Sequence, residues 1–315
     1  MIGHDDAWSA WRDAMAGERM HHAWLLAGKS GLGKMHFALA AARELVGADP
    51  GAEHHPDIHI LTHLPKDDKE ERKREEGKPF EIKRNITIGQ IRSMQQRLNT
   101  RPTMGERRAI IVDPADDMER NASNALLKSL EEPPVGTFFL LVSHRPAKLL
   151  PTIRSRCRTL RFHALTDEEI AQLLARLAPD AKDATRAAAL TAAAGSPGRA
   201  LAFVELGLGP VAQILHLIAE QGDSEFTLRG ELVSAIGTRP DRARLEAVLE
   251  LARSILDEGL ADLDRKVLSQ RIAAHAELVR LSGEMPTYNY DPGLLVMEIG
   301  TLLAGAAQSS GGPHG

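Results

Sequence analysis

The chain has 315 residues, enough for two or three domains of about 100–150 residues each. Hydrophobic residues make up 43% of it and aromatic residues only 4%, which argues against a disordered chain and against a row of base-stacking rings. The 39 basic and 43 acidic side chains leave a net charge of -4, which disfavours binding of nucleic acid over the whole surface. No apolar run reaches the ~18 residues of a membrane span, and Asp5, Asp6 and Arg12 stand where a signal peptide would be apolar. We therefore expect a cytoplasmic protein without a membrane segment.

The first 163 residues alternate short apolar strands with helices, a pattern typical of a parallel sheet that helices cover on both faces. The predicted strands are His22–Ala27, Ile58–Leu61, Ile86–Ile88, Ala109–Val112 and Phe138–Val142. The predicted helices are 1–22, Met35–Val46, Gln90–Asn99 and Ala122–Leu130. Residues 66–78 carry six basic and six acidic side chains, so we interpret them as a solvated excursion, either a hairpin tip or a disordered loop.

The remainder of the chain is predicted to be helical. Its clearest helices are Thr166–Leu177, which Thr166 would cap, Ala184–Ala194, Arg199–Leu206, Leu245–Leu263 and Lys266–Leu281. Residues 195–198 (GSPG) interrupt the pattern, and residues 309–315 (SSGGPHG) indicate a flexible tail. We divide the chain into an α/β domain over 1–163, a small helical domain over 164–207 and an all-α domain over 208–315.

Residues 28–34 (GKSGLGK) fit the phosphate-loop pattern G-x-x-x-x-G-K, between a predicted strand and a predicted helix. In such a loop, backbone amides and the lysine bind phosphates, and the candidate residues are Gly28, Gly31, Gly33 and Lys34. A glycine turn without a ligand is the alternative interpretation. Met35 stands where a Ser or Thr hydroxyl ordinarily binds Mg²⁺, and a thioether is a poor ligand for that ion.

A second position in the same predicted site also departs from the hydrolytic pattern. The apolar strand Ala109–Val112 is followed by Asp113 and then by Pro114, where a glutamate would activate the attacking water. Asp116 and Asp117 come two or three residues past the strand end, so we expect them to point elsewhere. Loss of both the metal ligand and the general base predicts a P-loop fold that no longer hydrolyses nucleotide.

Several arginines follow Pro151: Arg154, Arg156, Arg158 and Arg161. An exposed arginine at the edge of an α/β domain can reach a phosphate on a neighbouring molecule, but the spacing alone favours arginines that alternate on the solvent face of a strand. The single cysteine, Cys157, can form neither an intrachain disulfide nor a cysteine cluster, and we favour structural filler over a reactive thiol or a metal ligand. Pro56 interrupts the candidate metal cluster His54, His55, Asp57 and His59, so we favour a polar loop.

These segments resemble the delta-prime subunits of bacterial DNA polymerase III clamp loaders, which are members of the AAA+ group of P-loop ATPases. The resemblance rests on residues 22–34 (HAWLLAGKSGLGK), 55–57 (HPD), 121–134 (NASNALLKSLEEPP), 138–157 (FFLLVSHRPAKLLPTIRSRC) and 195–201 (GSPGRAL). It implies an α/β P-loop (AAA+) domain, a helical lid and an all-α collar. It also implies that Arg156, within the interface motif Ser155-Arg156-Cys157, acts in trans on the ATP site of an adjacent gamma/tau subunit.

The resemblance further implies an accessory subunit of a DNA-directed DNA polymerase holoenzyme at the cytoplasmic replisome, not itself an enzyme. Its partners would be the delta and gamma/tau subunits, and through them the sliding clamp and primer-template DNA. The loop could still bind ATP or phosphate without hydrolysis, and no cofactor is required.

The chain also departs from its relatives. It lacks the four-cysteine module that many relatives carry before residues 55–57, so we expect no zinc and no other metal. We assign no phosphate-sensing role to Arg199, which is shifted by one position, and a sensor role for Ser143 is doubtful. Two rival functions stay open: an active ATPase subunit of gamma/tau type, and a stand-alone DNA-binding module.

Overall fold

A computed structural model describes residues 2–49, 54–78, 80–285 and 290–307. It divides the chain into two compact units, Met1–Leu165 and Thr166–Gly315. The predicted flexible tail, residues 309–315, lies outside the described residues. The finer division of the second unit at residue 207 stays a prediction.

The first unit is built on a five-stranded parallel sheet with the strand order β2-β3-β4-β1-β5. The strands are β1 (Ala23–Ala27), β2 (Ile58–Leu61), β3 (Arg108–Val112), β4 (Thr137–Ser143) and β5 (Arg158–Arg161). The three middle strands are almost wholly buried. Because all strands run the same way, the loops that follow β1, β3 and β4 meet at the carboxyl edge of the sheet.

Helices cover both faces of this sheet. They are α1 (Asp5–Ala16), α2 (Lys34–Val46), α4 (Ile88–Leu98), α5 (Arg120–Glu131) and the short α6 (Pro151–Arg154). A further helix, α3 (Asp68–Glu75), contributes no residue to the two apolar clusters on these faces. Alternate strand residues point to opposite faces: Leu25 packs in the cluster with α4 and α5, and Trp24 packs in the cluster with α1 and α2. The first helix, Asp5–Ala16, is shorter than the predicted 1–22. One face of it is buried, and on that face Trp11 packs against Trp24.

The secondary structure predicted for two segments of this unit is wrong. Residues 66–78 are not a hairpin tip or a disordered loop, because they contain α3. Asp67 caps that helix, and the buried carboxylate of Glu70 accepts hydrogen bonds from Lys73 Nζ at 2.7 Å and from the Glu81 amide at 2.7 Å. Residues 86–88 are not a strand: Ile86 forms one isolated bridge, and the reciprocal cap between Thr87 and Gln90 starts α4 at Ile88.

The second unit is formed by helices α7 to α14. They are α7 (Asp167–Leu177), α8 (Asp183–Ala193), α9 (Pro197–Glu205), α10 (Gly209–Gln221), α11 (Thr227–Ile236), α12 (Arg242–Leu256), α13 (Arg265–Glu284) and α14 (Pro292–Gly305). Thr166 caps α7 as predicted, since its hydroxyl accepts the Glu169 amide. The helix predicted from Arg199 already begins at Pro197, and the one predicted to end at Leu263 ends at Leu256. Within the described residues, no single helix is long and apolar enough to cross a membrane; α9 and α10 pass that test only together, as a pair bent by 109°.

A buried ion pair joins Arg229 on α11 to Asp223 in the segment between α10 and α11, and the same arginine also bonds to α14. Arg229 Nε donates to the Asp223 carboxylate at 2.9 Å, and Arg229 Nη1 donates to Thr301 Oγ1 at 3.0 Å. Both charged side chains are at most 6% exposed. The neighbouring Gly300 has no room for a side chain, because a Cβ there would lie 2.5 Å from Arg229 Cγ.

We predict that Asp223→Ala lowers the free energy of unfolding by about 3 kcal/mol, because it leaves the Arg229 guanidinium buried without its counter-charge. Urea unfolding followed by circular dichroism measures this change. The matched control is Arg242→Ala, which breaks a half-exposed pair with Glu246 on α12 and is expected to cost less than about 1 kcal/mol. Equal losses in the two variants would contradict the assignment.

Candidate functional site

The loop between β1 and α2 is shaped by three glycines. Gly31 and Gly33 have φ angles of 77° and 78°, a left-handed conformation that favours glycine. Gly28 lies so close to the segment after β5 that a Cβ would stand 2.5 Å from the carbonyl oxygen of Phe162. The Gly28 amide donates to the Ser143 carbonyl at 3.2 Å, which ties the loop to the end of β4. The predicted phosphate loop is therefore formed, at the carboxyl edge of the sheet.

Lys34 is the first residue of α2 and is 2% exposed. Its ammonium donates to two carbonyls of the loop, those of Gly28 at 2.7 Å and Lys29 at 2.5 Å. Burial lowers the pKa of Lys34 to about 8, and the negative charges of Asp113 and Asp116 oppose that shift. The buried Lys34 ammonium is thus protonated at neutral pH, and the loop itself uses part of its hydrogen-bonding capacity.

The two positions that would serve hydrolysis carry no oxygen side chain. Met35 packs against the apolar cluster of α1 and α2. Asp113 directly follows β3, and the next residue is Pro114. Burial raises the pKa of Asp113, an effect that the charges of Lys34 and His63 oppose. The side chains at 35 and 114 can therefore neither bind a hard cation nor accept a proton from water.

Asp116 faces the carboxyl edge, so the prediction that it points away from the site is wrong. The 3-10 turn Ala115–Asp117 reverses the chain after β3. The Asp116 carboxylate accepts hydrogen bonds from Ser143 Oγ at 2.5 Å and from the amides of His144 and Arg145 at 2.6 and 2.9 Å. Ser143 is fully buried, and its hydroxyl proton is directed to Asp116.

Asp117 has different main partners, since His63 Nε2 lies 3.4 Å and Arg145 Nη2 lies 3.5 Å from its carboxylate. The hydrogen bond with His63 lowers the pKa of Asp117 despite burial, and the charge of Arg145 adds to the effect. Sequence reasoning did not identify the roles of His63 and Asp116, because only the turn after Pro114 brings those residues to their partners.

The motif Ser155-Arg156-Cys157 forms a turn between α6 and β5. The Thr152 carbonyl accepts hydrogen bonds from Ser155 Oγ at 3.1 Å and from Arg156 Nη1 at 2.9 Å. Cys157 packs against the core, and burial raises its thiol pKa to about 12, which supports the interpretation as structural filler. Arg156 Nη2 lies 2.5 Å from Glu131 Oε1, and the arginine side chain keeps 35% of its surface exposed.

The four arginines after Pro151 do not share one strand face, contrary to what their spacing favoured. Only Arg158 and Arg161 belong to β5, whereas Arg154 ends α6 and Arg156 lies in the following turn. Within the part of the chain that the structure describes, Arg156 shares no hydrogen bond or ion pair with the phosphate loop.

Of the residues predicted to form a polar loop, His54, His55 and Asp57 lie in a loop before β2, whereas His59 belongs to β2 itself. The buried carboxylate of Asp57 accepts the amides of Thr103 and Met104 at 2.6 and 2.8 Å, and His55 Nδ1 accepts the Asp57 amide at 3.2 Å. Asp57 thus stabilises the loop before β3. Across the four described ranges, no group of three or more His, Cys, Asp or Glu side chains could hold a metal ion.

Comparison with known proteins gives a consistent set of relatives. The sequence model of a family described as "DNA polymerase III, delta subunit" matches residues 3–166. A DNA polymerase III subunit delta' of Pseudomonas aeruginosa is 32% identical over 207 residues, which are 59% of this chain and 58% of that protein. A DNA polymerase III subunit tau/gamma of Haemophilus influenzae is 29% identical over 183 residues, 56% of this chain and 25% of that protein. The chain thus spans less than two thirds of the length of either relative.

A solved structure of similar fold is a DNA polymerase III gamma-subunit-related protein of Thermotoga maritima. It matches with a TM-score of 0.55 at 18% identity, over 95% of this chain and 99% of that one. At this identity the likeness shows the fold alone. Together with the parallel sheet, the formed loop and the helical second unit, it confirms the predicted AAA+ P-loop fold with a helical extension.

The buried ammonium of Lys34 predicts a specific pH dependence of stability. Its pKa is about 8 in the folded chain against an ordinary value of 10.5, so the unfolded chain binds more protons between these values. Stability therefore rises with pH across this window. We compare urea unfolding of the wild-type chain and of Lys34→Met at pH 7 and at pH 9.5. From pH 7 to pH 9.5, the free energy of unfolding of the wild-type chain should increase relative to that of Lys34→Met. A stability difference between the two proteins that does not change with pH would contradict the buried charge.

Proposed function

The chain belongs to the DNA polymerase III delta-subunit family, and we propose that it is a clamp-loader subunit of delta-prime type that does not hydrolyse ATP itself. In this proposal its partners are the delta and gamma/tau subunits of a DNA polymerase III complex. Through that assembly it would help to open the sliding clamp and place it on primer-template DNA, in the cytoplasm at the replisome.

The observation that carries the absence of hydrolysis is the pair Met35 and Pro114 at the carboxyl edge of the sheet. A thioether packed against the core and a proline ring supply neither a Mg²⁺ ligand nor a general base. The hydroxyl of Ser143, the polar group that follows the apolar run of β4, is engaged by Asp116. Three groups that could act on a terminal phosphate are thus replaced or occupied.

The loop retains the parts needed to bind a phosphate without cleaving it. Gly31 and Gly33 keep the loop open to the N-terminus of α2, where backbone amides and the helix dipole attract anions. Lys34 supplies a positive charge, although a bound phosphate must compete with the carbonyls of Gly28 and Lys29 for it. In this proposal ATP or phosphate is an optional ligand, and neither zinc nor another cofactor is required.

Arg156 is the group through which this chain would act on a neighbour. Its guanidinium is permanently charged and partly exposed, and the turn around Thr152 holds it at the surface of the first unit. Its contacts are separate from those of the chain's own phosphate loop. An arginine finger supplied in trans accelerates phosphoryl transfer by about 10³–10⁵-fold.

An active ATPase subunit of gamma/tau type is the second candidate. It is favoured by the similarity to the tau/gamma subunit of Haemophilus influenzae and by the retention of Lys34 and Asp113.

The isolated chain distinguishes the two candidates. We predict no Mg²⁺-dependent ATP hydrolysis by the purified protein above a no-protein blank, because position 35 lacks an oxygen ligand for Mg²⁺ and position 114 lacks a general base. Phosphate release, measured with and without primed DNA, is the assay. The positive control is a purified gamma/tau subunit under the same conditions. Turnover by this chain comparable to that control would favour the active ATPase.

If Arg156 acts as an arginine finger, its removal should lower ATP turnover by the assembled complex. Arg156→Ala should leave the mass of the reconstituted complex unchanged and lower its ATP turnover, stimulated by DNA and clamp, by at least about tenfold. The matched control is Arg158→Ala, an exposed arginine two residues away whose guanidinium lies 5.1 Å from the ring centre of Trp24. Unchanged turnover in the Arg156→Ala complex would remove the finger from the proposal.

A further inference from the structure

We propose that Glu131, the last residue of α5, is a positioning residue that orients the Arg156 guanidinium toward the neighbouring ATP site. This inference rests on the proposed arginine finger. It concerns the exposed ion pair between α5 and the turn after α6, a contact that the chain's own phosphate loop does not use.

The Arg156 guanidinium is held at two different nitrogens by two different elements. Glu131 Oε1 lies 2.5 Å from Nη2, and the carbonyl of Thr152, on α6, accepts Nη1 at 2.9 Å. Two contacts at separate terminal nitrogens fix the plane of the group as well as its position. The Thr152 contact alone would leave the guanidinium free to rotate about it.

These contacts leave donors available for a phosphate. A guanidinium has five N–H groups, and the two contacts use one on each terminal nitrogen, so three remain. The arginine side chain is 35% exposed. Glu131 can therefore keep its contact while the free edge of the guanidinium binds phosphate oxygens, as in the orientation of a catalytic group by a neighbouring carboxylate.

The end of α5, which carries Glu131, is held in place by buried residues and hydrogen bonds. Leu130 and Ser129 are buried, and the Leu130 carbonyl accepts a hydrogen bond from His22 Nε2 at 2.8 Å, next to the start of β1. Ser129 Oγ lies 2.9 Å from Gln95 Nε2 on α4. The end of α5 is thus attached to the sheet and to α4, and the position of the carboxylate is set by the core.

The solvent exposure of the Glu131–Arg156 ion pair distinguishes a positioning role from a contribution to folding stability. Glu131 and Arg156 are 48% and 35% exposed, and ion pairs this accessible to water contribute little to folding stability. Loss of Glu131 should therefore leave the melting temperature and the assembly nearly unchanged. Its effect should appear in the chemistry that the arginine serves.

The test uses the reconstituted clamp-loader complex with clamp, primed DNA and ATP. We expect Glu131→Ala to lower kcat about 3- to 10-fold, with the KM for ATP changed less than twofold, since misorientation of the finger affects the transition state more than ATP binding. Glu131→Gln, which keeps an acceptor oxygen, should recover part of the loss. The matched control is Glu132→Ala: the adjacent, exposed Glu132 forms no ion pair in the described part of the chain, and the variant should resemble wild type.

The Arg156→Ala background shows whether Glu131 acts through the arginine. We expect no further loss when Glu131→Ala is added to Arg156→Ala, because a positioning residue has nothing left to position. An additional loss of the same size in that background would overturn the proposal. A kcat of the Glu131→Ala complex equal to or above that of wild type would also overturn the proposal. The carboxylate would then either have no effect on turnover or hold the arginine back from the phosphate.

Failure of the positioning role is distinguishable from failure of the finger. If Arg156→Ala lowers turnover and Glu131→Ala does not, the finger stands and the positioning role is overturned. If Arg156→Ala has no effect, the finger itself is excluded, and the positioning role with it. Mass measurement of each complex checks assembly, and the Glu131→Gln variant decides the question if Glu131→Ala does not assemble.

Discussion

The parallel arrangement of β1, β3 and β4 brings three loop segments to one edge of the sheet, and the chemistry of the first unit depends on what those segments place there. They bring a buried lysine together with Asp113 and Asp116, whose negative charges favour its protonated form against the cost of burial. The glycines around Lys34 are required by backbone conformation and close packing, so they set the shape of the loop. The scaffold thus preserves a phosphate site in outline, whereas the side chains at 35 and 114 do not complete it for hydrolysis.

The turn between α6 and β5 is held by contacts to the core, to α6 and to α5. Cys157 anchors it in the core, the Thr152 carbonyl accepts hydrogen bonds from Ser155 and Arg156, and Glu131 approaches from α5. The three members of the motif therefore have separate physical roles, since the cysteine fills the core, the serine braces the turn and the arginine presents a charge at the surface. In the proposed function, this partly exposed arginine would complete the ATP site of a neighbouring molecule, while the chain's own site would not hydrolyse ATP.

Much of this could be predicted from the sequence. The buried strands are uninterrupted apolar runs, and the phosphate loop and the Ser-Arg-Cys turn have characteristic residues at short spacing. The wrong predictions concern features that are set by contacts between residues far apart in the sequence. The charged segment 66–78 contains a helix because Glu70 is fixed by the Glu81 amide, and Asp116 turns back because of the 3-10 turn after β3. The pairing of Glu131 with Arg156 joins residues 25 positions apart, for which local patterns give no signal.

The most direct test of the central claim is the distance from the Arg156 guanidinium to the terminal phosphate of a non-hydrolysable ATP analogue bound to the adjacent gamma/tau subunit, in an experimental structure of the assembled complex. The account predicts hydrogen-bond contact, about 3 Å, with Glu131 still paired to the arginine and no Mg²⁺ in the chain's own loop. An Arg156 side chain remote from every phosphate, or a Mg²⁺–nucleotide complex bound by this chain's own residues around Lys34 and Asp113, would contradict it.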